Sequence, residues 1–237
     1  MRRFSFLTVL AVAALLGGCG GGNQGGEATV WVTRDHGRTL VTSETVPAGL
    51  TALQGLDRAA SVKTAYGGGF VKAIEGIAGS RTAQSDWFFY VNGYEADRGA
   101  AAYRLRSGDL EWWDYRSWRA QERVPIVVGA FPEPFLHGYD GKRRPAAVRY
   151  AAGLRRPARL LARLIGARSL APIAVPATTQ ANILTIVNGS ARLSARFRFA
   201  SRSRAGDPVV FVVSGAGFAR ALAVRPDLAA RRYEVTS

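Results

Sequence analysis

A block of aromatic residues between positions 87 and 118 constrains the fold more than any other part of the chain. Four of the five tryptophans lie there, in two segments that read DWFFYVNG and LEWWDYRSW. Successive side chains of a strand point to opposite faces of its sheet, so these segments predict two strands with large rings on both faces. One face is expected to pack on a helix. The other face is also apolar, and three covers are open: the second half of the chain, a partner protein or a flat ligand stacked on the rings.

The segments before this block predict a small β-rich domain. Residues 28–46 alternate around a His36-Gly37 turn, which indicates a hairpin. Residues 50–60 carry leucines at helical spacing, with Gly55 as an interruption. A strand is expected over 70–74, followed by the two aromatic strands. The order ββαβββ predicts an α+β fold in which residues 28–120 form a β-grasp-like domain, a mixed sheet with one helix.

The run from Trp87 through Val91-Asn92-Gly93 and Gly108-Asp109 to Trp118 resembles the transcobalamin-like C-terminal domain, which also occurs in bacterial surface lipoproteins and is related to soluble-ligand-binding β-grasp modules. The resemblance covers about residues 28–118. In the vitamin carriers this domain is one of two that clasp cobalamin. The large helical domain that supplies most of the other half of the carriers' site is not readable in this chain. The resemblance implies a ligand site lined by Trp87, Tyr90, Asn92, Tyr94, Trp112 and Trp113.

Polar residues of the same block have simpler interpretations. Asn92-Gly93 is a tight-turn dipeptide, because both residues tolerate positive φ. Asp109 follows Gly108 in a second turn. We expect Asp109 and Asp114 to be turn and surface groups rather than catalytic acids.

The N-terminus predicts export and lipid anchoring. Arg2 and Arg3 precede an apolar run of 13 residues, Phe4 to Leu16, which is the size of a signal-peptide core and too short to span a bilayer. Leu16-Gly17-Gly18-Cys19 resembles the bacterial lipobox, which implies a signal peptide over 1–18 and a diacylated Cys19. Residues 19–27 are glycine-rich and predict a flexible tether. We therefore expect a body anchored at the extracytoplasmic face of the cell membrane.

Cys19 is the only cysteine, so the mature chain has no free thiol for a disulfide, a Cys-ligated metal or cysteine catalysis. Only two histidines exist, His36 and His137, which excludes a histidine-rich metal site. We expect no metal site and no cofactor.

Charge divides the chain. Residues 19–123 hold 12 Lys+Arg and 12 Asp+Glu, a net of zero, whereas residues 124–237 hold 18 and 5, a net of +13. A basic half indicates an anionic partner such as a phospholipid surface. The alternative is that the excess of basic residues reflects an arginine-rich composition without any partner. Export argues against nucleic acid as the partner.

Residues 124–237 predict an α/β domain of unknown role. Strands are expected from Val124, over 146–151 and in four later segments, and a helix over 157–166. The loop FPEPFLHGYDG brings Glu133, His137 and Asp140 close in sequence, a spacing compatible with acid–base chemistry. Ser214-Gly215-Ala216-Gly217 indicates a tight turn between strand and helix rather than a dinucleotide site, because the third glycine is missing.

The sequence therefore favours a membrane-anchored binding lipoprotein without enzymatic activity. Its ligand is a cobalamin-like small molecule by resemblance, presented to a transporter. The alternative is an envelope module that contacts proteins or anionic surfaces and has no small-molecule ligand. An enzyme acting through the 131–141 loop is the third hypothesis.

Overall fold

The computed structural model describes residues 25–199 and 203–236. The predicted signal peptide, Cys19 and most of the predicted tether lie outside these residues. The described part confirms the predicted α+β class, with a mixed sheet and one helix in the first half and an α/β unit in the second. The domain boundary between residues 120 and 124 stays a prediction, since one core cluster of buried side chains includes residues from both halves.

The first half contains a five-stranded mixed sheet with the order β2-β1-β8-β6-β7, in which only β1 and β8 are parallel. A separate antiparallel sheet has the order β3-β4-β5. The predicted strand at 70–74 forms, but in this second sheet rather than beside the aromatic strands. The elements are β1 (Glu27–Arg34), β2 (Thr39–Pro47), α1 (Ala52–Ala59), β3 (Val62–Ala65), β4 (Phe70–Ile74), β5 (Ile77–Ala78), β6 (Ser85–Val91), β7 (Tyr94–Glu95) and β8 (Leu110–Ser117).

Helix α1 begins at a capping box. The Thr51 hydroxyl accepts a hydrogen bond from the backbone N–H of Gln54, and the Gln54 side chain accepts one from the backbone N–H of Thr51. Gly55, which weakens the helix in the sequence, lies against side chains from outside the helix. A Cβ there would lie 2.7 Å from Leu105 Cδ1 and 3.0 Å from Glu111 Oε2, so this glycine leaves room for both side chains where α1 packs beside β2 and β1.

The second half is a six-stranded sheet with the order β10-β9-β11-β13-β12-β14. Strands β10, β9, β11 and β13 are parallel, and β12 is antiparallel to both of its neighbours. Helices α3 and α4 pack against each other on this sheet. The elements are α2 (Glu133–Leu136), β9 (Ala146–Tyr150), α3 (Arg155–Leu164), β10 (Ser169–Pro172), β11 (Asn182–Val187), β12 (Arg192–Phe197), β13 (Val209–Ser214), α4 (Ala216–Val224) and β14 (Val235–Thr236).

The predicted strand from Val124 is wrong. The segment is buried from Ile126 onward, as its apolar run indicates, but it makes one isolated bridge between Tyr94 and Ile126 and then a 3-10 turn over 128–130. Pro125 lacks an N–H and cannot pair fully with a neighbouring strand.

In residues 25–199 and 203–236, no helix is long and apolar enough to cross a bilayer.

Candidate functional site

The aromatic strands β6 and β8 pair in the register that alternation predicts. Phe89 lies opposite Trp113, and Tyr90 lies opposite Trp112. The rings of Phe89 and Trp113 stack at 4.9 Å on one face, while Tyr90 and Trp112 are 5.7 Å apart on the other. The two faces have different environments, so the six predicted ligand residues fall into separate groups.

The second half of the chain covers the face that carries Tyr90 and Trp112. Trp112 has no exposed surface, and its ring lies 5.5 Å from that of Tyr233. Gly129 also lies against it, since a Cβ at Gly129 would be 2.7 Å from Trp112 Cζ3. Three covers for this face are compatible with the sequence. The structure shows that the cover is the chain's own second half. Side chains without exposed surface offer no contact to a ligand from solution.

A buried hydrogen-bond network joins the two halves beneath this cover. Asp114 Oδ1 accepts hydrogen bonds from the Thr33 hydroxyl at 2.6 Å and from the Gly37 N–H at 3.0 Å, and Oδ2 accepts one from the Tyr233 hydroxyl at 2.9 Å. The Tyr233 hydroxyl also lies 3.2 Å from that of Tyr90. Burial raises the pKa of Asp114, whereas these hydrogen bonds act in the opposite direction. The expectation that Asp114 is a surface group is wrong, because its side chain is fully buried.

Asn92 and Tyr94 are also buried, at the turn between β6 and β7. Asn92 has φ +49°, and its Nδ2 donates to Asp109 Oδ1 at 2.7 Å and to the Gly138 carbonyl at 3.0 Å. Its Oδ1 accepts the Leu110 N–H at 2.8 Å. The amide is therefore fully used in holding the turn. Tyr94 packs between the rings of Tyr139 and Phe197.

Trp87 and Trp113 belong to the other face, where they line a small inner cleft of about 200 Å³. The indole N–H of Trp87 donates to the Ile77 carbonyl at 2.8 Å, and that of Trp113 donates to Glu111 Oε1 at 2.6 Å. Both polar atoms are satisfied. The two side chains are largely buried, with 8% and 5% exposure, so they offer the cleft only a small apolar surface. Further walls come from α1, the start of β4 and residues 96–101.

Glu111 beneath Trp113 is fully buried, and its second oxygen, Oε2, has no hydrogen-bond partner. Burial raises the pKa of Glu111 well above its usual range, and the hydrogen bond from Trp113 only partly opposes this. Burial therefore favours the protonated form of this carboxyl group.

A larger cleft of about 830 Å³ adjoins the inner one, and Phe70 and Phe88 line both. We call it the aromatic cleft. Its rim carries Tyr66, which is 89% exposed, and Phe70, which is 46% exposed. The other lining residues combine a tryptophan, four charged side chains and small polar groups: Lys72, Gly79, Ser80, Arg81, Ser85, Asp86, Trp118 and Glu122.

The loop that presents Tyr66 has positive φ at three successive residues, Tyr66, Gly67 and Gly68. Glycine adopts this conformation without steric cost, whereas tyrosine does so rarely. The Tyr66 ring lies 6.2 Å from that of Phe70, edge to face. The implied ligand set omits both residues. The sequence does contain a pattern that points to these residues: two aromatic residues separated by three glycines, which indicates a turn with exposed rings.

The guanidinium group of Arg116 packs on Phe88, which lines the aromatic cleft. Its Cζ lies 3.6 Å from the centre of the Phe88 ring, while its nitrogens donate to the carbonyls of Gln121 and Glu122 at 2.8 Å. The segment after β8 is thereby fixed beside Phe88. Together these contacts give the aromatic cleft one rigid wall and one glycine-rich wall, an arrangement suited to holding a planar molecule between rings.

The three loop residues with acid–base spacing do not form one set. Glu133 and His137 are paired, with 2.5 Å between Oε2 and Nδ1. Asp140 instead contacts Arg98 at 3.3 Å and Arg106 at 3.2 Å. Burial raises the pKa of Glu133, which the adjacent His137 opposes. Throughout the described ranges, no three His, Cys, Asp or Glu side chains are grouped as metal ligands.

Comparisons with solved structures are weak. A candidate metal-binding protein from Ruminococcus gnavus is 13% identical with a TM-score of 0.30, and the match covers 39% of this chain and 97% of that one. Haptocorrin in complex with Cbi is 17% identical with a TM-score of 0.31, over 38% of this chain and 25% of haptocorrin. No curated protein sequence matches the chain. Residues 49–117, from the loop before α1 to the end of β8, match the family model described as a domain of unknown function, DUF4430.

Proposed function

We propose that the chain is a lipid-anchored, extracytoplasmic binding protein that takes up a cobalamin-like small molecule in the aromatic cleft and presents it to a transporter. The observation that carries this proposal is the pair of exposed rings, Tyr66 and Phe70, on the rim of an 830 Å³ cleft. Exposed apolar rings that share a rim with charged side chains are typical of ligand-binding surfaces.

The binding mode follows from the lining. The ligand would pack its apolar parts against Tyr66 or Phe70 on the rim and Phe88 on the wall, and its polar groups would meet the four charged side chains. Trp87 and Trp113 would contact only a group that reaches past Phe70 into the inner cleft. In this proposal, four of the predicted ligand residues stabilise the fold and do not contact the ligand: Tyr90, Asn92, Tyr94 and Trp112. The proposal assigns no chemical step to the chain.

A second candidate function is an envelope interaction module. It is favoured by the outer face of α3, where Arg155, Arg156, Arg159 and Arg163 are exposed around a partly exposed Leu160. None of these arginines has a carboxylate within 4.0 Å among the described residues. Such a face suits an anionic membrane surface or an acidic partner.

Equilibrium dialysis against hydroxocobalamin separates the two functions. The fragment of residues 20–237 is used, because it contains every residue that the structure describes. We expect saturable binding that weakens about tenfold in Phe70→Ala, since one stacked ring contributes about 1–3 kcal/mol. Phe199→Ala is the matched control, because Phe199 is 47% exposed and lies outside the aromatic cleft.

Absence of hydroxocobalamin binding at about millimolar concentration, where the binding free energy is only about 4 kcal/mol, would remove this ligand and favour the interaction module. Equal effects of the two substitutions would show that binding does not use the aromatic cleft. Anchoring is tested separately by palmitate labelling in a bacterial host, which Cys19→Ala should abolish.

A further inference from the structure

A second cleft, of about 500 Å³, lies where the β1–β2 turn meets the C-terminal segment. We call it the junction cleft. One wall is formed by His36, Gly37, Arg38 and Leu40, and the other by residues 230–234 with Thr236. It shares no lining residue with the aromatic cleft, so an argument about it does not depend on the proposed function.

The junction cleft is positively charged. Arg38, Arg231 and Arg232 line it, and none of the three has an ion-pair partner among the residues that the structure describes. The one carboxylate in the lining, Glu234, is already paired with Arg192 at 2.5 Å. A concave surface with an excess of charges of one sign concentrates its electric field and attracts counter-ions.

Both walls of the junction cleft are fixed by buried contacts. A Cβ at Gly37 would lie 1.8 Å from the Arg231 carbonyl oxygen, so the turn rests directly on the C-terminal segment. The Arg231 N–H donates to the Gly129 carbonyl at 3.1 Å, and the Tyr233 hydroxyl donates to Asp114. The backbone positions of the three arginines are therefore set before any ligand arrives, which lowers the entropy cost of binding.

The arginines differ in their freedom to move. The Arg231 guanidinium lies 5.6 Å from the centre of the Trp31 ring, which orients it by a cation–π contact. Arg38 and Arg232 are exposed and have no side-chain hydrogen bond among the described residues. Two guanidinium groups without side-chain partners, beside one that is oriented, can contact a tetrahedral group from several sides.

We propose that the junction cleft binds a phosphate group, carried either by a soluble phosphorylated molecule or by a lipid headgroup. Guanidinium groups pair with phosphate oxygens through two parallel hydrogen bonds, and three such groups match a multiply charged oxyanion better than a single carboxylate. The volume lies within the range of small-molecule sites, so it accommodates a phosphate together with the group that carries it.

Isothermal titration with sodium pyrophosphate tests the proposal in the fragment 20–237 at pH 7.5 and low salt, where charge interactions are least screened. Dihexanoyl phosphatidic acid, a soluble short-chain lipid, serves as the second probe. The test variant is Arg38→Ala with Arg232→Ala. The control is Arg58→Ala with Arg220→Ala, which removes the same charge from the exposed faces of α1 and α4. Circular dichroism is used to confirm that all variants are folded.

We expect one bound pyrophosphate per chain, with an affinity about tenfold weaker for each cleft arginine removed and nearly unchanged in the control. Binding of the lipid probe alone, weakened only by the cleft variant, would also support the cleft and identify a lipid headgroup as the source. An equal loss in both double variants would reduce the effect to net charge and overturn the proposal, as would the absence of binding by both probes.

Discussion

At the scale of single residues, two adjacent tryptophans illustrate how strand alternation decides function. Trp112 points toward the second half of the chain and is covered by Tyr233 and Gly129. Trp113 points the other way, stacks on Phe89 and lines the inner cleft. Alternation alone predicts that they face opposite sides. It does not predict which side receives a cover, because that depends on contacts between residues far apart in the sequence.

Glu111 gives a prediction at this scale. Its pKa in the folded state is raised, so the unfolded chain loses the proton first, near the ordinary pKa of about 4.3. The contribution of Glu111 to stability is therefore complete below that pH and is lost as the pH rises toward the folded-state pKa. Glu111→Gln keeps an acceptor for Trp113. We expect its free energy of unfolding in urea to fall less between pH 5 and pH 8 than that of the unsubstituted chain.

Glu44→Gln provides the control, since Glu44 is an exposed glutamate in β2 of the same sheet. A pH dependence that is identical in Glu111→Gln and Glu44→Gln would contradict a raised pKa for the buried Glu111.

At the scale of elements, the glycines decide where α1 and the Tyr66 loop lie. Gly55 leaves room for the Leu105 and Glu111 side chains beside α1, and the glycines after Tyr66 allow a turn that leaves two rings exposed. Both features are readable as glycines in the sequence, but the first appears there only as a weak point of the helix.

The capping box of α1 gives the prediction for this scale. Thr51→Ala removes the acceptor for the Gln54 N–H, and we expect a loss of about 1 kcal/mol in the free energy of unfolding. Thr51→Ser retains the hydroxyl and should lose much less. Urea unfolding followed by far-ultraviolet circular dichroism measures both. A Thr51→Ala variant as stable as the Thr51→Ser variant would show that the cap contributes nothing.

Elements with a strong local pattern are those that the sequence predicts. Alternation gives the first hairpin, β6 and β8, and helical periodicity gives α1 and α3. β3 and β5 are short and largely exposed, so they have no comparable pattern. The prediction of a strand from Val124 is wrong because an apolar run indicates that a segment is buried but does not show that its backbone pairs with another strand. The candidate site is only partly predictable. Trp87 and Trp113 of the inner cleft follow from the family resemblance, whereas Tyr66 and Phe70 on the rim of the aromatic cleft depend on how two sheets meet.

At the scale of the whole molecule, the two halves are joined through buried groups. Asp114, Tyr90 and Trp112 from the first half meet Tyr233 and Val127 from the second. All five tryptophans lie in the first half, whereas α3 and α4 lie in the second. Tryptophan fluorescence and circular dichroism at 222 nm therefore report unequally on the two halves.

Tyr233→Ala gives the prediction for this scale. We expect the unsubstituted chain to unfold in one transition, with coincident midpoints from both signals. Removing this partly buried ring should cost about 3 kcal/mol and separate the two midpoints, with fluorescence changing at the lower urea concentration. Tyr233→Phe keeps the ring, loses the hydrogen bond to Asp114 and should cost about 1 kcal/mol. Coincident midpoints in Tyr233→Ala would mean that the halves do not depend on this contact.

The covered face also limits how such a gene can recombine. A crossover near codon 123 would deliver the first half without the residues that lie on Tyr90 and Trp112. The product would display a bare indole and phenol surface, which favours aggregation and proteolysis. Any lineage that exchanged its C-terminal part would have to acquire a replacement with an aromatic residue at the place of Tyr233, so the two parts are expected to be inherited together.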